Sequence, residues 1–295
     1  MTVSRGEPGN VAARLSRRLG AVVRDQLAID RTQLVPAQRH LVIVRVLAWL
    51  SIIGLFVAGW GKGTIQAVGI LAGEEYTPLH FGPETLGRQL AGLAADAGVV
   101  LAAIVVLIAF RRFPAPAAPF PVVRPQTGLR AFFVAPLAVT LGFSLTGAVN
   151  ALLGGGNGYP HPSIEGWPAM ALYALSGAMA GPMEELALLA VVVTVLRRSG
   201  YGWFVVCIAA VAVRVPFHVF YGWGSLMLAV WAVLMVALYR RVGTALPMVA
   251  SHALWNFTAT PGIFEVGFLV KSACAIVGVV ILLLTLRREL NAASS

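Results

Sequence analysis

Eight runs of apolar residues, at about 40–60, 90–110, 131–153, 167–196, 203–221, 224–239, 245–262 and 264–286, take up most of the 295 residues. A helix needs roughly 20 such residues to cross the hydrocarbon core of a bilayer. Inside lipid the backbone must satisfy its own hydrogen bonds, and continuous runs of this length do so as helices. Composition agrees, with 58% of residues hydrophobic and 12% charged, against about a quarter charged in a soluble domain. So few charges cannot cover a water-facing surface, which excludes a soluble globular enzyme. The apolar content equally excludes a disordered chain. The expected fold is all-α, a polytopic membrane protein of eight transmembrane helices.

The formal net charge of +10 would suggest nucleic acid in a soluble protein. Here its placement gives a different reading. Arg5, Arg14, Arg17, Arg18, Arg24, Arg31 and Arg39 precede the first run. The later clusters are Arg111, Arg112, Arg124 and Arg130, then Arg197–Arg198, Arg240–Arg241 and Arg287–Arg288. Each cluster follows an even number of runs, which is the positive-inside pattern for a multi-pass protein of the cell membrane with both termini cytoplasmic. The partners expected are therefore membrane lipids and no nucleic acid.

The organisation follows from these landmarks. Residues 1–39 are a basic cytoplasmic segment, with Val11–Val35 read either as an amphipathic helix on the leaflet or as a basic tail. The membrane domain covers 40–288, with its chemistry concentrated at about 165–260, and 289–295 form a cytoplasmic tail. The stretch 113–121 is a linker, and Gly154–Gly158 opens an external loop. Cys207 and Cys274 both lie in apolar runs and read as core residues without a disulfide framework.

Ionisable groups at bilayer depth are expensive, so each is a functional hypothesis. Arg45 and Lys271 lie near membrane edges and can snorkel. Asp96 can pair with another helix, and Asn150 reads as a helix cap or an interhelical hydrogen bond. Three clusters remain. At about 1.5 Å per residue from the basic end of each helix, Glu184 lies roughly 20 Å deep, His218 roughly 22 Å, His252 roughly 16 Å and Asn256 roughly 22 Å. Separate helices thus place a carboxylate, two imidazoles and an amide in one slab. His252 and Asn256 are i,i+4 on one helical face, as are Arg214 and His218. Glu184 and Glu185 are adjacent and should point about 100° apart. Pro182 and Pro216, just before the acidic pair and His218, each remove a backbone donor and tend to kink a helix.

There is no Gly-x-Ser-x-Gly elbow and no His-Glu-x-x-His. A carboxylate, two histidines and an amide suit water activation, with glutamate as general base and the remaining donors facing an oxyanion. The same set could instead give Glu184, His218 and His252 to zinc, leaving a position for water. Both readings lead to hydrolysis.

Glu184–Glu185 in a membrane helix, a histidine one span later and then His252-x-x-x-Asn256 resemble the CPBP family of intramembrane proteases, which includes the CAAX prenyl endopeptidases and bacterial Abi relatives. The resemblance covers about 165–260 and implies the same eight-helix fold. It implies that Glu184 activates water with help from His218, that His252 and Asn256 stabilise the oxyanion, and that Glu185 is a structural or assisting carboxylate. It implies a metal-free glutamate mechanism with no cofactor, zinc being the alternative. Prenylated CAAX tails are the family's eukaryotic substrates, so a peptide or membrane protein, with or without a lipid, is the expected substrate.

Two positions depart from the family pattern. The Glu-Glu-x-x-x-Arg motif has Leu189 in place of its arginine, and Phe-x-x-x-His has Arg214 in place of its phenylalanine. Arg214 is accordingly expected to supply the cation for the glutamate pair from a different helix. Two other classes stay open on sequence grounds. One is a transporter or proton relay using the same buried charges. The other is a non-catalytic membrane binding or immunity protein on the same fold. The sequence does not state an oligomeric assembly.

Overall fold

The computed structural model of the protein describes residues 38–75, 78–112, 125–156, 162–261 and 264–294. The basic segment before residue 38, the linker at 113–121 and part of the external loop fall outside these residues. Eight α-helices are present among the described residues: α1 Gln38–Leu71, α2 Leu86–Arg111, α3 Pro125–Leu153, α4 Trp167–Arg198, α5 Trp203–Arg214, α6 Leu228–Val242, α7 Leu246–Phe257 and α8 Phe264–Ser294. They follow the order of the eight apolar runs. Six, counting α6 with the turn that leads into it, are long and apolar enough to cross a membrane. The architecture is the expected all-α polytopic one.

Helices α5 and α7, at 12 residues each, are shorter than the runs that predicted them. The run at 203–221 breaks because Pro216 has no N–H to continue the helix and its ring clashes with the preceding turn. The chain passes into 3-10 turns over Pro216–Tyr221 and Trp223–Met227. In contrast, α1 is 34 residues long. No proline interrupts residues 61–71, and the helix stops only before Gly73, whose φ of 99° is left-handed. Helix α8 continues through most of the stretch read as a tail.

Helix α4 is the axis of the bundle. Val191, Val192, Val193, Val195 and Leu196 have no exposed surface, because α1, α2, α5, α6 and α7 all pack against it. A helix apolar on all sides is buried on all sides. Midway, over Glu184–Val191, α4 widens into a π-helix directly after Pro182. Proline's missing donor loosens the hydrogen-bond ladder there, and π segments collect at functional sites.

The approach of α7 to α4 is set by Gly177 and Gly181. A Cβ at Gly181 would lie 2.6 Å from the Val249 carbonyl oxygen and 2.5 Å from the Ala253 nitrogen. Gly177-x-x-x-Gly181 is a small-residue stripe of the kind that lets membrane helices touch backbone to backbone. It sits one turn before the glutamates and faces the turn of α7 that bears His252. Gly181→Ala is expected to force the two helices apart. The cost is about 1–3 kcal/mol of overpacking, which thermal denaturation in detergent measures.

The basic clusters gather at one end of the bundle. Arg45 Nε donates to the Ser199 carbonyl at 3.2 Å, and Arg198 Nη1 donates to the Arg111 carbonyl at 3.1 Å. Arg197 and Arg240 each lie 4.7 Å from the Trp203 ring centre. At the other end, His80–Phe81 and Ser163–Ile164 pair as two short parallel strands, β1 and β2. They join the α1–α2 and α3–α4 connections through Ser163 N to Leu79 O at 3.1 Å and Glu165 N to Phe81 O at 2.7 Å. Two-residue strands are too short to leave a periodic signal in sequence.

Candidate active site

The π-helical turn of α4 presents both glutamates to α5 and α7. Glu185 has no exposed surface, and its Oε1 accepts from Arg214 Nη1 at 3.0 Å and from His252 Nδ1 at 2.8 Å. Glu184 is looser. Its Oε2 is 3.7 Å from Arg214 Nη1, within ion-pair range, and has no hydrogen-bond donor among the described residues. Arg214 Nη2 also reaches the Glu184 carbonyl at 3.5 Å. One guanidinium lies within 4 Å of both carboxylates, with the side-chain hydrogen bond on Glu185 alone.

Arg214 is 2% exposed. Its guanidinium lies 4.3 Å from the centre of the Trp231 ring, which offers a cation the negative face of the indole. Trp231, on α6, is itself 2% exposed. Its ring stands 5.8 Å from His218 and 5.7 Å from His252, edge to face in both cases. Gly142 of α3 makes room, since a Cβ there would come within 2.9 Å of the Trp231 Cβ. Leu189, where the family motif has arginine, is 1% exposed and packed in the apolar core. The cation beside the carboxylates comes from another helix, at Arg214.

His218 lies on the 3-10 turn after Pro216. Its Nδ1 is 2.8 Å from the Arg214 carbonyl oxygen. A carbonyl only accepts, so Nδ1 carries the hydrogen and Nε2 is left to accept or hold a proton. The same reasoning at His252 makes Nδ1 the donor to Glu185 and leaves Nε2 for chemistry. The Glu184 carboxylate is close enough to act electrostatically on both imidazoles. Asn256 lies one turn beyond His252, half-buried, with no side-chain hydrogen bond among the described residues. The structure thus links Glu184, Glu185, Arg214, His218 and His252 through direct contacts or short-range charge, and places Asn256 on the same face of α7.

Sequence reasoning passed over Trp231 and the two α4 glycines. The Gly-x-x-x-Gly spacing could have found the glycines. A tryptophan in an apolar run carries no comparable signal. Of the other polar positions, Asn150 forms the interhelical bridge expected of it, donating to the Tyr221 carbonyl at 2.7 Å and accepting from Gly224 N at 2.8 Å. Arg45 is tied down at the basic end as described. Asp96 has no partner helix group among the described residues. Lys271 Nζ lies 4.7 Å from the Trp255 ring centre.

Zinc fits this donor set poorly. Among the described residues no group of three or more His, Cys, Asp or Glu side chains is arranged to hold a metal ion. A guanidinium 3.7 Å from Glu184 would also repel a dication bound by that carboxylate.

The family model described as type II CAAX prenyl endopeptidase, Rce1-like, matches residues 166–258. These run from the start of α4 to the end of α7, about a third of the chain, and contain every residue of the cluster. No curated protein and no solved structure matches the chain. The segment that assembles the acidic pair, the histidines and their arginine is thus similar to the type II CAAX prenyl endopeptidases, a family of intramembrane proteases.

Proposed function

We propose that the protein is an intramembrane endopeptidase that cuts peptide bonds near the end of membrane-associated or lipid-modified tails by a glutamate-activated water. The observation that carries this reading is the asymmetry of the acidic pair. The Oε2 of each glutamate is buried without a donor, but Glu185 Oε1 accepts from both Arg214 and His252, whereas the Glu184 carboxylate accepts no hydrogen bond among the described residues and has only its 3.7 Å ion pair with Arg214. A carboxylate shielded from bulk water with an unspent oxygen suits a general base. Charge balance assigns the histidines. Two carboxylates against one guanidinium leave one negative charge, and a buried cluster favours neutrality. His252, hydrogen-bonded to Glu185, carries the compensating proton as imidazolium, and His218, anchored on a carbonyl, stays neutral.

The steps follow. Water between Glu184 and the scissile carbonyl gives a proton to Glu184 as its oxygen attacks carbon, and His218 Nε2 orients the water or shares that proton. Charge builds on the carbonyl oxygen, where His252 Nε2–H and the Asn256 amide donate. Collapse of the tetrahedral species breaks the C–N bond, and Glu184 returns the proton to the leaving amine. No metal or cofactor enters. The basic end of the bundle faces the cytoplasm, so substrate tails enter from that side.

The test is cleavage of a farnesylated CAAX-tail peptide by the purified protein. Asn256→Ala is expected to lower kcat by about 10²–10³-fold while leaving traces of activity, and chelators are expected to change nothing. Activity abolished by chelation and restored by zinc would replace the glutamate scheme. A folded protein that cleaves no peptide would favour the non-catalytic reading, and ion flux through it in vesicles would favour the transporter.

A further inference from the structure

Three buried side-chain atoms of the site have no hydrogen-bond partner among the described residues: Glu184 Oε2, Glu185 Oε2 and Trp231 Nε1. The two carboxylate oxygens are acceptors. The indole nitrogen is a donor, and the mechanism above does not use it. A buried indole N–H usually finds an acceptor, and one left without weighs against the fold that buries it. Trp231 is 2% exposed, so bulk solvent does not satisfy it.

The indole is held among the groups proposed for catalysis. The Arg214 guanidinium lies over its ring, 4.3 Å from the centre. The imidazoles of His218 and His252 stand 5.8 and 5.7 Å from it, at 75° and 69° to its plane. Helix α3 fixes it from behind. A Cβ at Gly142 would come within 2.9 Å of the Trp231 Cβ and 3.7 Å of its backbone nitrogen, and the Phe143 ring packs 6.2 Å away. A ring packed by this many neighbours is held in place. Donors that need not reorganise are the ones that best stabilise charge forming in a transition state.

We propose that Trp231 Nε1–H is a further donor to the carbonyl oxygen of the scissile bond, which makes Trp231 a catalytic residue beside His252 and Asn256. The inference rests on the endopeptidase reading above. The separation allows it. Two donors that bond one oxygen at about 2.9 Å each stand at most about 5.8 Å apart, and the ring centres of Trp231 and His252 are 5.7 Å apart. His252 uses Nδ1 on Glu185, so Nε2 is the nitrogen that shares the oxygen with the indole. The indole transfers no proton. As the water oxygen bonds to the carbon, the π pair of the C=O moves onto the carbonyl oxygen, and the N–H meets the charge that forms there. Glu184 Oε2 and Trp231 Nε1 then divide the reaction between them. One takes the proton of the water and the other faces the charge of the carbonyl. The resting protein holds the donor unpaired because its acceptor arrives with the substrate.

The experiment uses the full-length protein in detergent and a farnesylated CAAX-tail peptide. Trp231→Phe removes the N–H but leaves a gap beside Arg214. The decisive protein therefore has Trp231 replaced by benzothienylalanine through codon suppression, which puts sulfur in place of the N–H and keeps both rings. Its kcat and kcat/KM are expected to fall together by about 10²-fold or more, the mark of an interaction made only in the transition state. Its denaturation midpoint is expected to equal or exceed that of the wild type, because a buried donor without an acceptor has been removed. Wild-type kcat in this protein overturns the proposal and leaves the endopeptidase reading standing. So does a loss confined to KM, or a lowered midpoint, which would mean that the N–H has a partner in the resting protein. A wild type that cleaves no peptide overturns the endopeptidase reading, and this inference falls with it.

Discussion

Arg214→Met is expected to destabilise the protein by about 3–5 kcal/mol, the usual consequence of removing one member of a buried ion pair. The guanidinium is 2% exposed and within 4 Å of both Glu184 and Glu185. Without it, two carboxylates at bilayer depth are left with imidazoles as their only cations. The Trp231 face that now holds the guanidinium would also lose its partner. Equilibrium denaturation in mixed micelles measures the loss. Removing the opposing charge as well should restore part of it, so Arg214→Met with Glu185→Gln should be less destabilised than the sum of the single changes. Strict additivity would mean that the two side chains do not stabilise one another. Arg214→Lys should fall between, since an ammonium keeps the charge and gives up the planar fork that serves two carboxylates at once.

Glu184→Gln is expected to lower the turnover number by about 10²–10⁴-fold with little change in stability. Glutamine keeps the size of the side chain and cannot take a proton from water. The stability is spared because the firm bonds of the cluster run through Glu185, not Glu184. Glu185→Gln should behave in the opposite sense. It weakens the anchor on Arg214 and on His252, so both stability and rate should fall. The contrast between neighbouring glutamates is sharper than either result alone, and paired denaturation and single-turnover measurements on the two variants reveal it.

Much of this arrangement was legible in the sequence because membrane helices obey few rules. Apolar runs gave the order of the eight helices, and a fixed rise per residue put Glu184, His218 and His252 in one slab. The absence of arginine at position 189 and its presence at 214 pointed to a cation on another helix, and the structure places Arg214 against both glutamates. What stayed hidden depends on three-dimensional packing. The π turn at Glu184–Val191 has no composition of its own. Trp231 looks like any apolar residue until α3 and α6 close on it. Pro216 signalled a kink at 203–221, but 3-10 turns replacing the rest of the helix depended on where α1 packs. The Trp255 ring beside Lys271 is likewise a product of packing, since α7 and α8 bring the two together.

The most direct test of the account is mass-spectrometric analysis of a lipidated tail peptide incubated with purified wild-type protein and with Glu184→Gln, both shown to be folded, in metal-free buffer. The expected result is one internal cut, a few residues from the C-terminus, made by the wild type and absent or slower by about 10³-fold with Glu184→Gln. Equal cleavage by both proteins would contradict the central claim that Glu184 activates the attacking water.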